Sequence, residues 1–113
     1  MDEIIKGSLS GIKVLDFSTL LPGPLASLFL AETGAEVIKI ERPEVGDEIR
    51  ASYPKWGGQS ASFSMLNRGK KSLALDLKDP DSFEILEPLI KKADIIIEQF
   101  RPGVMKRLGL DYV

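Results

Sequence analysis

Two neighbouring stretches decide the fold of this chain: Val14-Leu15-Asp16-Phe17-Ser18-Thr19-Leu20-Leu21-Pro22-Gly23-Pro24 and Thr33-Gly34-Ala35-Glu36-Val37-Ile38-Lys39-Ile40-Glu41-Arg42-Pro43. They predict a strand, a turn rich in proline and glycine, a helix, and a second strand that ends at a basic residue. Because a whole helix intervenes, the two strands are expected to be parallel neighbours. Open parallel sheets bind ligands beyond the carboxyl ends of their strands. The pattern therefore predicts a βαβ unit that can hold a nucleotide-like ligand.

The second half of the chain repeats this alternation, with strands predicted near residues 12–17, 37–40, 73–77 and 95–98. The first of these runs is mostly apolar and predicts a strand buried on both faces, and the last is also predicted to be buried. Pro24 is expected at the start of the first helix, and Asp79-Pro80 is expected to cap and begin the second. The buried stripes of these helices are predicted to contain Leu25, Leu28 and Phe29, and Phe83, Leu86, Leu89 and Ile90. Residues 42–58 are interpreted as a long functional loop, and a short helix ends before Gly109. The order predicts one α/β domain with a Rossmann-like, mainly parallel sheet and flanking helices.

The composition excludes several classes of protein. The formal net charge of -2 argues against nucleic-acid binding, and no apolar run is long enough to span a membrane. The chain has no cysteine and no signal-peptide pattern at Met1-Asp2-Glu3, which predicts a cytoplasmic protein. The carboxylates do not recur at a spacing that indicates a metal site, and without histidine or cysteine any such site would have oxygen ligands only. We interpret the chain as a ligand-binding part of a protein whose reactive residue lies outside this sequence.

Short blocks in a fixed order carry a family resemblance over nearly the whole chain. They lie at residues 11–17, 34–41, 46–47, 67–72, 75–78, 93–94 and 100–104. Together they resemble the N-terminal part of class III CoA-transferases and the related 2-methylacyl-CoA racemases, a group that includes formyl-CoA transferase and carnitine CoA-transferase. The resemblance implies that residues 1–113 are the N-terminal part of a larger CoA-binding domain. It also implies coenzyme A or acyl-CoA as a substrate, with no other cofactor.

Coenzyme A presents phosphates and an adenine face, which are bound by fixed cations and by aromatic or guanidinium planes. Arg42 and Lys78 each follow a predicted strand, and Phe100 follows another. With the resemblance, the candidate contacts to coenzyme A are Leu21, Pro22, Arg42, Leu75, Asp76, Leu77, Lys78, Gln99, Phe100, Arg101 and Arg107. No catalytic residue and no metal ligand is assigned.

Several of these residues also have a structural alternative. Arg42 either binds phosphate or is a solvated loop residue, and Leu21-Pro22 either faces the ligand or only begins a helix. Asp76 accepts a hydrogen bond from ribose or adenine, or caps the following turn. Phe100 flanks adenine or packs in the core. Arg107 contacts a phosphate or stabilises a helix C-terminus.

Two further features have the same ambiguity. Asp16 at the end of the first strand is interpreted as part of the scaffold, with a nucleophilic role as the weaker alternative. The basic cluster of Arg68, Lys70 and Lys71 either serves the family's site or forms a solvated turn.

Two reactions are implied by the resemblance. The transferases pass the acyl group of a thioester to an aspartate and then exchange it with a second carboxylic acid. The racemases exchange the α-proton of an acyl-CoA between a His and an Asp. Both use residues beyond Val113, and family members form interlocked homodimers. A stand-alone nucleotide-binding module without catalysis is the remaining alternative.

Overall fold

A fully parallel four-stranded sheet organises residues 7–111, the part of the chain that the computed structural model describes. The strands are β1 Lys13–Asp16, β2 Glu36–Glu41, β3 Lys55–Trp56, β4 Gln59–Ser60, β5 Lys71–Ala74 and β6 Ile95–Ile97. The helices are α1 Pro22–Glu32, α2 Ala61–Asn67, α3 Ser82–Lys92 and α4 Val104–Arg107. The main sheet has the order β5-β2-β1-β6, and β3 and β4 form a separate antiparallel pair. The predicted α/β fold with a mainly parallel sheet is confirmed, whereas the expectation for Met1–Glu3 lies outside the described residues.

The core lies on both faces of the sheet because alternate residues of a strand point to opposite sides. On one face, Leu15, Phe17 and Ile40 pack with Leu86 of α3. On the other face, the buried residues Val14, Ala35 and Val37 pack against part of α1. Helices therefore cover both faces, as the mostly apolar run of residues 12–17 predicts for β1.

The helix starts differ from the sequence-based prediction. Helix α1 begins at Pro22 rather than Pro24, so Pro22 takes the position where a missing N–H costs nothing. Helix α3 begins at Ser82 because the Asp79 carboxylate accepts a hydrogen bond from the Asp81 N–H at 3.0 Å. The aspartate thus closes a turn before the helix and does not cap it.

Two of the predicted core positions on these helices are wrong. Phe29 of α1 is 61% exposed and Phe83 of α3 is 45% exposed. The buried positions of α1 are Gly23, Pro24, Ser27 and Leu28. Small residues hold this helix close to the sheet, so the larger Phe29 lies on the outer side.

Residues 42–58 are not one irregular loop. They contain a 3-10 helix, Glu48–Ala51, and lead into the β3–β4 hairpin. Helix α2, which the sequence analysis did not predict, follows directly, and the Ser60 hydroxyl accepts a hydrogen bond from the Phe63 N–H at its first turn. The segment is therefore built largely from regular secondary structure, outside the main sheet.

Two strands also differ from expectation. Strand β5 ends at Ala74, so residues 75–77 lie beyond it, although the Leu75 N–H still donates to the Glu41 carbonyl at 2.9 Å. Strand β6 is an edge strand, and its Ile95 and Ile96 are 36% and 43% exposed. The prediction of a buried strand was wrong there because periodicity cannot distinguish an edge strand from a central one.

Candidate functional site

A cleft of about 370 Å³ lies at the carboxyl edge of the sheet, next to helix α4. Six of the candidate contacts to coenzyme A line it: Arg42, Leu75, Asp76, Leu77, Lys78 and Phe100. They come together because β2 and β5 are adjacent parallel strands whose ends meet at the same edge. Thr19, at the end of β1, lines the same cleft. The structure thus brings the predicted cations and the predicted aromatic residue into one place.

A second hollow of about 640 Å³ lies beside this cleft, between the start of α3 and helix α4. Leu77 and Lys78 belong to both hollows, so Lys78 stands at their junction. Arg107 is the last residue of α4 and lines the second hollow. Its position is compatible with both of its predicted roles, the phosphate contact and the cation at a helix C-terminus.

The two cations of the cleft are accessible to a ligand. The Arg42 side chain is 61% exposed, and its Nη2 lies 3.9 Å from Oε1 of the equally exposed Glu48. An exposed pair at that distance contributes little, about 0–1 kcal/mol, and does not compete with a phosphate. Lys78 is exposed and forms no ion pair with any residue between 7 and 111.

Asp76 and Phe100 both have the structural role that the sequence analysis gave as the alternative to a ligand contact. The Asp76 Oδ1 atom accepts a hydrogen bond from the Lys78 N–H at 3.0 Å, which closes the turn after β5. Phe100 is half-buried and packs against the core cluster, while it also lines the cleft. Both side chains still reach the cleft, and their contacts to a ligand stay predictions.

The remaining candidates lie away from both hollows. Leu21 and Pro22 are exposed at the start of α1, and Arg101 is exposed after β6. The Gln99 side chain contacts the turn between β1 and α1. Its Nε2 donates to the Thr19 carbonyl at 2.6 Å, and its Oε1 accepts from the Gly23 N–H at 3.1 Å.

A buried ion pair that the sequence analysis did not single out connects this edge of the sheet to the loop after β2. Lys39 and Asp47 are each 1% exposed, and Lys39 Nζ lies 2.8 Å from Asp47 Oδ2. The same ammonium donates to the Ser18 carbonyl at 2.9 Å. A lysine between Ile38 and Ile40, in a predicted strand of the parallel sheet, was the available signal.

Glu41 anchors the same loop. Its carboxylate accepts from Arg50 Nε and Nη2, both at 2.7 Å, and from the Asp47 N–H at 2.8 Å. Burial by itself would raise the pKa of Glu41, but the hydrogen bonds from Arg50, Ser72 and Asp47 lower it to about 2. The same pairing raises the pKa of Arg50, whose guanidinium also lies 3.8 Å over the Phe63 ring. Arg50 is therefore committed to the fold.

The contacts of Asp16 are those of a scaffold residue. It is fully buried and accepts hydrogen bonds from the Ser18 N–H at 2.8 Å and from the hydroxyls of Ser18 and Ser27. Lys70 Nζ lies 3.8 Å from its Oδ2. Burial lowers the pKa of Lys70 to about 8, although the Asp16 charge opposes the shift. A carboxylate enclosed in this way cannot reach a thioester, which supports the scaffold interpretation.

The basic cluster is also structural in its surroundings. Arg68 pairs with Glu32 at 2.7 Å, and Lys71 pairs with Glu36 at 2.9 Å. Lys71 begins β5, so Arg68 and Lys71 pair with carboxylates at the amino edge of the sheet, whereas the Lys70 ammonium reaches Asp16 at the end of β1. None of the three residues lines the cleft.

The cleft can bind and orient a ligand, and the exposed carboxylates of Glu48 and Asp76 line it beside the cations. The chain contains neither histidine nor cysteine, and between residues 7 and 111 no group of acidic side chains is arranged to hold a metal ion. Over the same residues, no helix combines the length and apolarity needed to cross a membrane. The chemistry available here is electrostatic binding of an anionic ligand beside an apolar wall.

Comparison with known proteins gives a family match over most of the chain. Residues 9–113 match the model of CoA-transferase family III. The chain is 46% identical over 107 residues to acetyl-CoA:oxalate CoA-transferase of Acetobacter aceti and 41% identical over 105 residues to succinyl-CoA:glutarate CoA-transferase of Homo sapiens. These alignments cover 95% and 92% of this chain but only 28% and 24% of the two relatives. The chain thus spans about a quarter of their length.

Solved structures agree with the fold. A CAIB/BAIF family protein from Brucella suis superposes with a TM-score of 0.88 at 36% identity, covering 96% of this chain and 30% of that one. A hypothetical protein from Mycobacterium tuberculosis superposes with a TM-score of 0.85 at 41% identity, covering 93% and 29%. The fold, the order of the sequence blocks that carry the family resemblance and the match over residues 9–113 lead to one conclusion: the chain belongs to CoA-transferase family III.

Proposed function

We propose that this chain is the CoA-binding N-terminal portion of an enzyme that transfers CoA between an acyl-CoA thioester and a carboxylic acid. The observation that carries the proposal is the meeting of Arg42, Lys78 and Phe100 around one cleft at the carboxyl edge of a parallel sheet. Family membership supports the reaction class, since the relatives named above are CoA-transferases.

The cleft fits the chemistry of the nucleotide end of coenzyme A. Arg42 supplies a planar guanidinium for a phosphate, and Lys78 supplies a second cation within the same cleft. Phe100, Leu75 and Leu77 supply apolar surface for the adenine face. Arg107 extends the positive charge along the adjoining hollow. The ligand is thereby held by charge at one end and by apolar contact along its base.

The covalent step belongs to residues outside this part of the chain. Asp16, the carboxylate closest to β1's carboxyl end, is fully buried under two serine hydroxyls. We therefore assign the described residues to binding and orientation, and the aspartyl intermediate to another part of the enzyme. The names of the relatives favour transfer over α-proton exchange, and the match to part of a longer family favours an enzyme segment over a stand-alone binding module.

The interlocked homodimer stays part of the proposal. Several large apolar side chains are exposed on the described residues, among them Phe29, Met65 and Ile96. An extensive subunit interface would cover such residues. Light scattering of the protein that contains this chain should give twice the monomer mass, and a monomer at micromolar concentration would remove the dimer from the proposal.

The test of the CoA site is a calorimetric titration of CoA into the protein that contains this chain, at fixed ionic strength. Arg42→Ala should weaken binding by about 1.5–3 kcal/mol, the range for a hydrogen bond between charged groups. Arg68→Ala is the matched control, because the Arg68 side chain is 57% exposed and paired with a carboxylate at the opposite edge of the sheet.

The reaction is tested in the same preparation. The donor and acceptor pairs named for the relatives, acetyl-CoA with oxalate and succinyl-CoA with glutarate, are followed for the new thioester, alongside α-deuterium exchange. Thioester exchange supports the proposal. An equal loss of CoA affinity in Arg42→Ala and Arg68→Ala would contradict the site, and α-exchange without transfer would contradict the reaction.

A further inference from the structure

Phe83 lies in the first turn of helix α3 and is 45% exposed, although the periodicity of that helix predicts it in the core. The side of the helix start that faces the protein is formed by Ser82, whose hydroxyl donates to the Asp76 carbonyl at 2.6 Å, and by the buried Leu86. Phe83 lies beside them and lines the hollow of about 640 Å³ between α3 and α4. Its ring is therefore available to a ligand that enters this hollow.

The hollow also presents positive charge. Lys78 and Arg107 line it with exposed side chains, and neither forms an ion pair with a residue between 7 and 111. Among the described residues of the lining, Asp79 carries the only carboxylate, and its Oδ1 already accepts from the Asp81 N–H at 3.0 Å. Cations beside an aromatic ring and an apolar wall fit an anion that also carries a flat ring system.

The hollow is continuous with the cleft that contains Arg42. Leu77, Lys78, Val104 and Leu108 line both, so a ligand held at Lys78 can extend to either side. The cleft of about 370 Å³ is at the lower end of the range for small-molecule sites, about 300–1,000 Å³, whereas CoA combines a nucleotide, a diphosphate and a long pantetheine arm. All phosphates of CoA lie at its nucleotide end, so the part of the ligand that reaches the second group of cations is the nucleotide.

We propose that Phe83 is a binding residue that contacts the adenine ring of the bound acyl-CoA in the second hollow. The inference rests on the proposed function, because it presumes that CoA occupies the adjoining cleft. Phe83 acts in addition to Phe100, which lines the cleft but not the second hollow. The base extends from the cleft across Leu77 and Leu108 and stacks on the Phe83 ring, while the pantetheine arm does not touch that ring.

The test compares Phe83→Ala with Ile85→Ala in the protein that contains this chain. Ile85 is the matched control because it is a large apolar residue of the same helix, is 52% exposed and lines neither hollow. Calorimetry at fixed ionic strength gives the Kd of CoA and of two of its parts, adenosine 3′,5′-bisphosphate and 4′-phosphopantetheine. Only the first of these parts contains the base.

We expect Phe83→Ala to raise the Kd of CoA and of the bisphosphate by a factor of about five or more, because the stacking of the base on an aromatic ring is lost. The Kd of 4′-phosphopantetheine should stay within about twofold of the native value. Ile85→Ala should change none of the three constants, and Phe83→Tyr, which keeps the ring, should retain the native affinity for the bisphosphate.

A fluorescence measurement tests the contact independently. Phe83→Trp in a Trp56→Phe background places the single indole of residues 1–113 in the hollow, and the bisphosphate should quench its emission. Ile85→Trp in the same background should show no quenching.

An unchanged Kd of the bisphosphate in Phe83→Ala, or unquenched emission from the indole at position 83 when the bisphosphate is bound, would overturn the inference and leave the proposed function in place. An equal rise in the Kd of both parts of CoA would also overturn it, because it would indicate a structural role. A native protein that binds neither CoA nor the bisphosphate would instead refute the proposed function, and the inference with it.

Discussion

The buried pair of Lys39 and Asp47 permits a quantitative prediction. In Lys39→Met the ammonium is lost, and the Asp47 carboxylate, whose side chain is 0% exposed, stays buried with hydrogen bonds only to Oδ1, from the N–H groups of Leu20 and Ile49. Breaking a buried pair on one side costs about 3–5 kcal/mol, because an uncompensated charge is left behind. Asp47→Asn keeps the Oδ1 acceptor but leaves the ammonium without its counter-charge, and we expect about 2–4 kcal/mol.

The double variant Lys39→Met/Asp47→Asn distinguishes the ion pair from simple packing loss. With both charges gone, neither is stranded, and we expect a cost below the sum of the single variants by about 2–3 kcal/mol. The assay is urea unfolding at pH 7, read by circular dichroism, with the m-value checked for constancy across all four proteins. Additive costs, within about 0.5 kcal/mol, would refute the reasoning.

Three further predictions concern stability. Glu41 has its pKa lowered to about 2 from 4.5, so its contribution is present above pH 4.5 and is lost as the pH falls toward 2; in urea titrations, the loss of stability between pH 7 and pH 3 should be about 2 kcal/mol larger in the native protein than in Glu41→Gln. Lys70 has its pKa lowered to about 8 from 10.5, so the unfolded chain binds the extra proton between these values and stability should rise there with pH; a flat profile would contradict the assignment, and Lys70→Met should remove the rise. Leu86→Ala, at a side chain 2% exposed, should cost about 2–5 kcal/mol in the same assay, whereas a cost under 1 kcal/mol would argue against its place in the core.

The parallel sheet was predictable because its signals are local. The first strand lies in a mostly apolar run and is followed by a helix, and the connection between β1 and β2 leaves only a parallel pairing. Helix α2 was missed because seven residues carry too few periodic positions, although Ser60 is an ordinary N-cap. The start of α3 was misplaced because Asp79 suits a turn as well as a cap, and only tertiary packing decides between them.

The site was predictable to the extent that it depends on strand ends. Arg42 directly follows β2, Lys78 lies four residues after the end of β5, and adjacency of β2 and β5 places both in one cleft. The partners of Gln99 and Lys39 were not predictable in this way. Gln99 forms hydrogen bonds with Gly23 and Thr19, which precede it by 76 and 80 positions. Lys39 donates to the Ser18 carbonyl, in the turn after another strand. Such contacts depend on the three-dimensional path of the chain and have no sequence period.

The order of the strands in the sheet also determines when each strand can pair with its neighbours during synthesis. Strand β1 leaves the ribosome before the other strands of this sheet, yet it ends as an interior strand whose second neighbour is β6, with Val14 opposite Ile95. At synthesis rates of about 5–20 residues per second, Ile95 appears roughly 4–16 s after Val14, because it lies 81 positions later in the chain. Until then one flank of β1 has no partner, whereas β2 arrives only 23 positions after its partner in β1. The nascent chain must therefore protect this open flank for seconds, which makes β1 the segment on which chaperone contact or premature pairing would act.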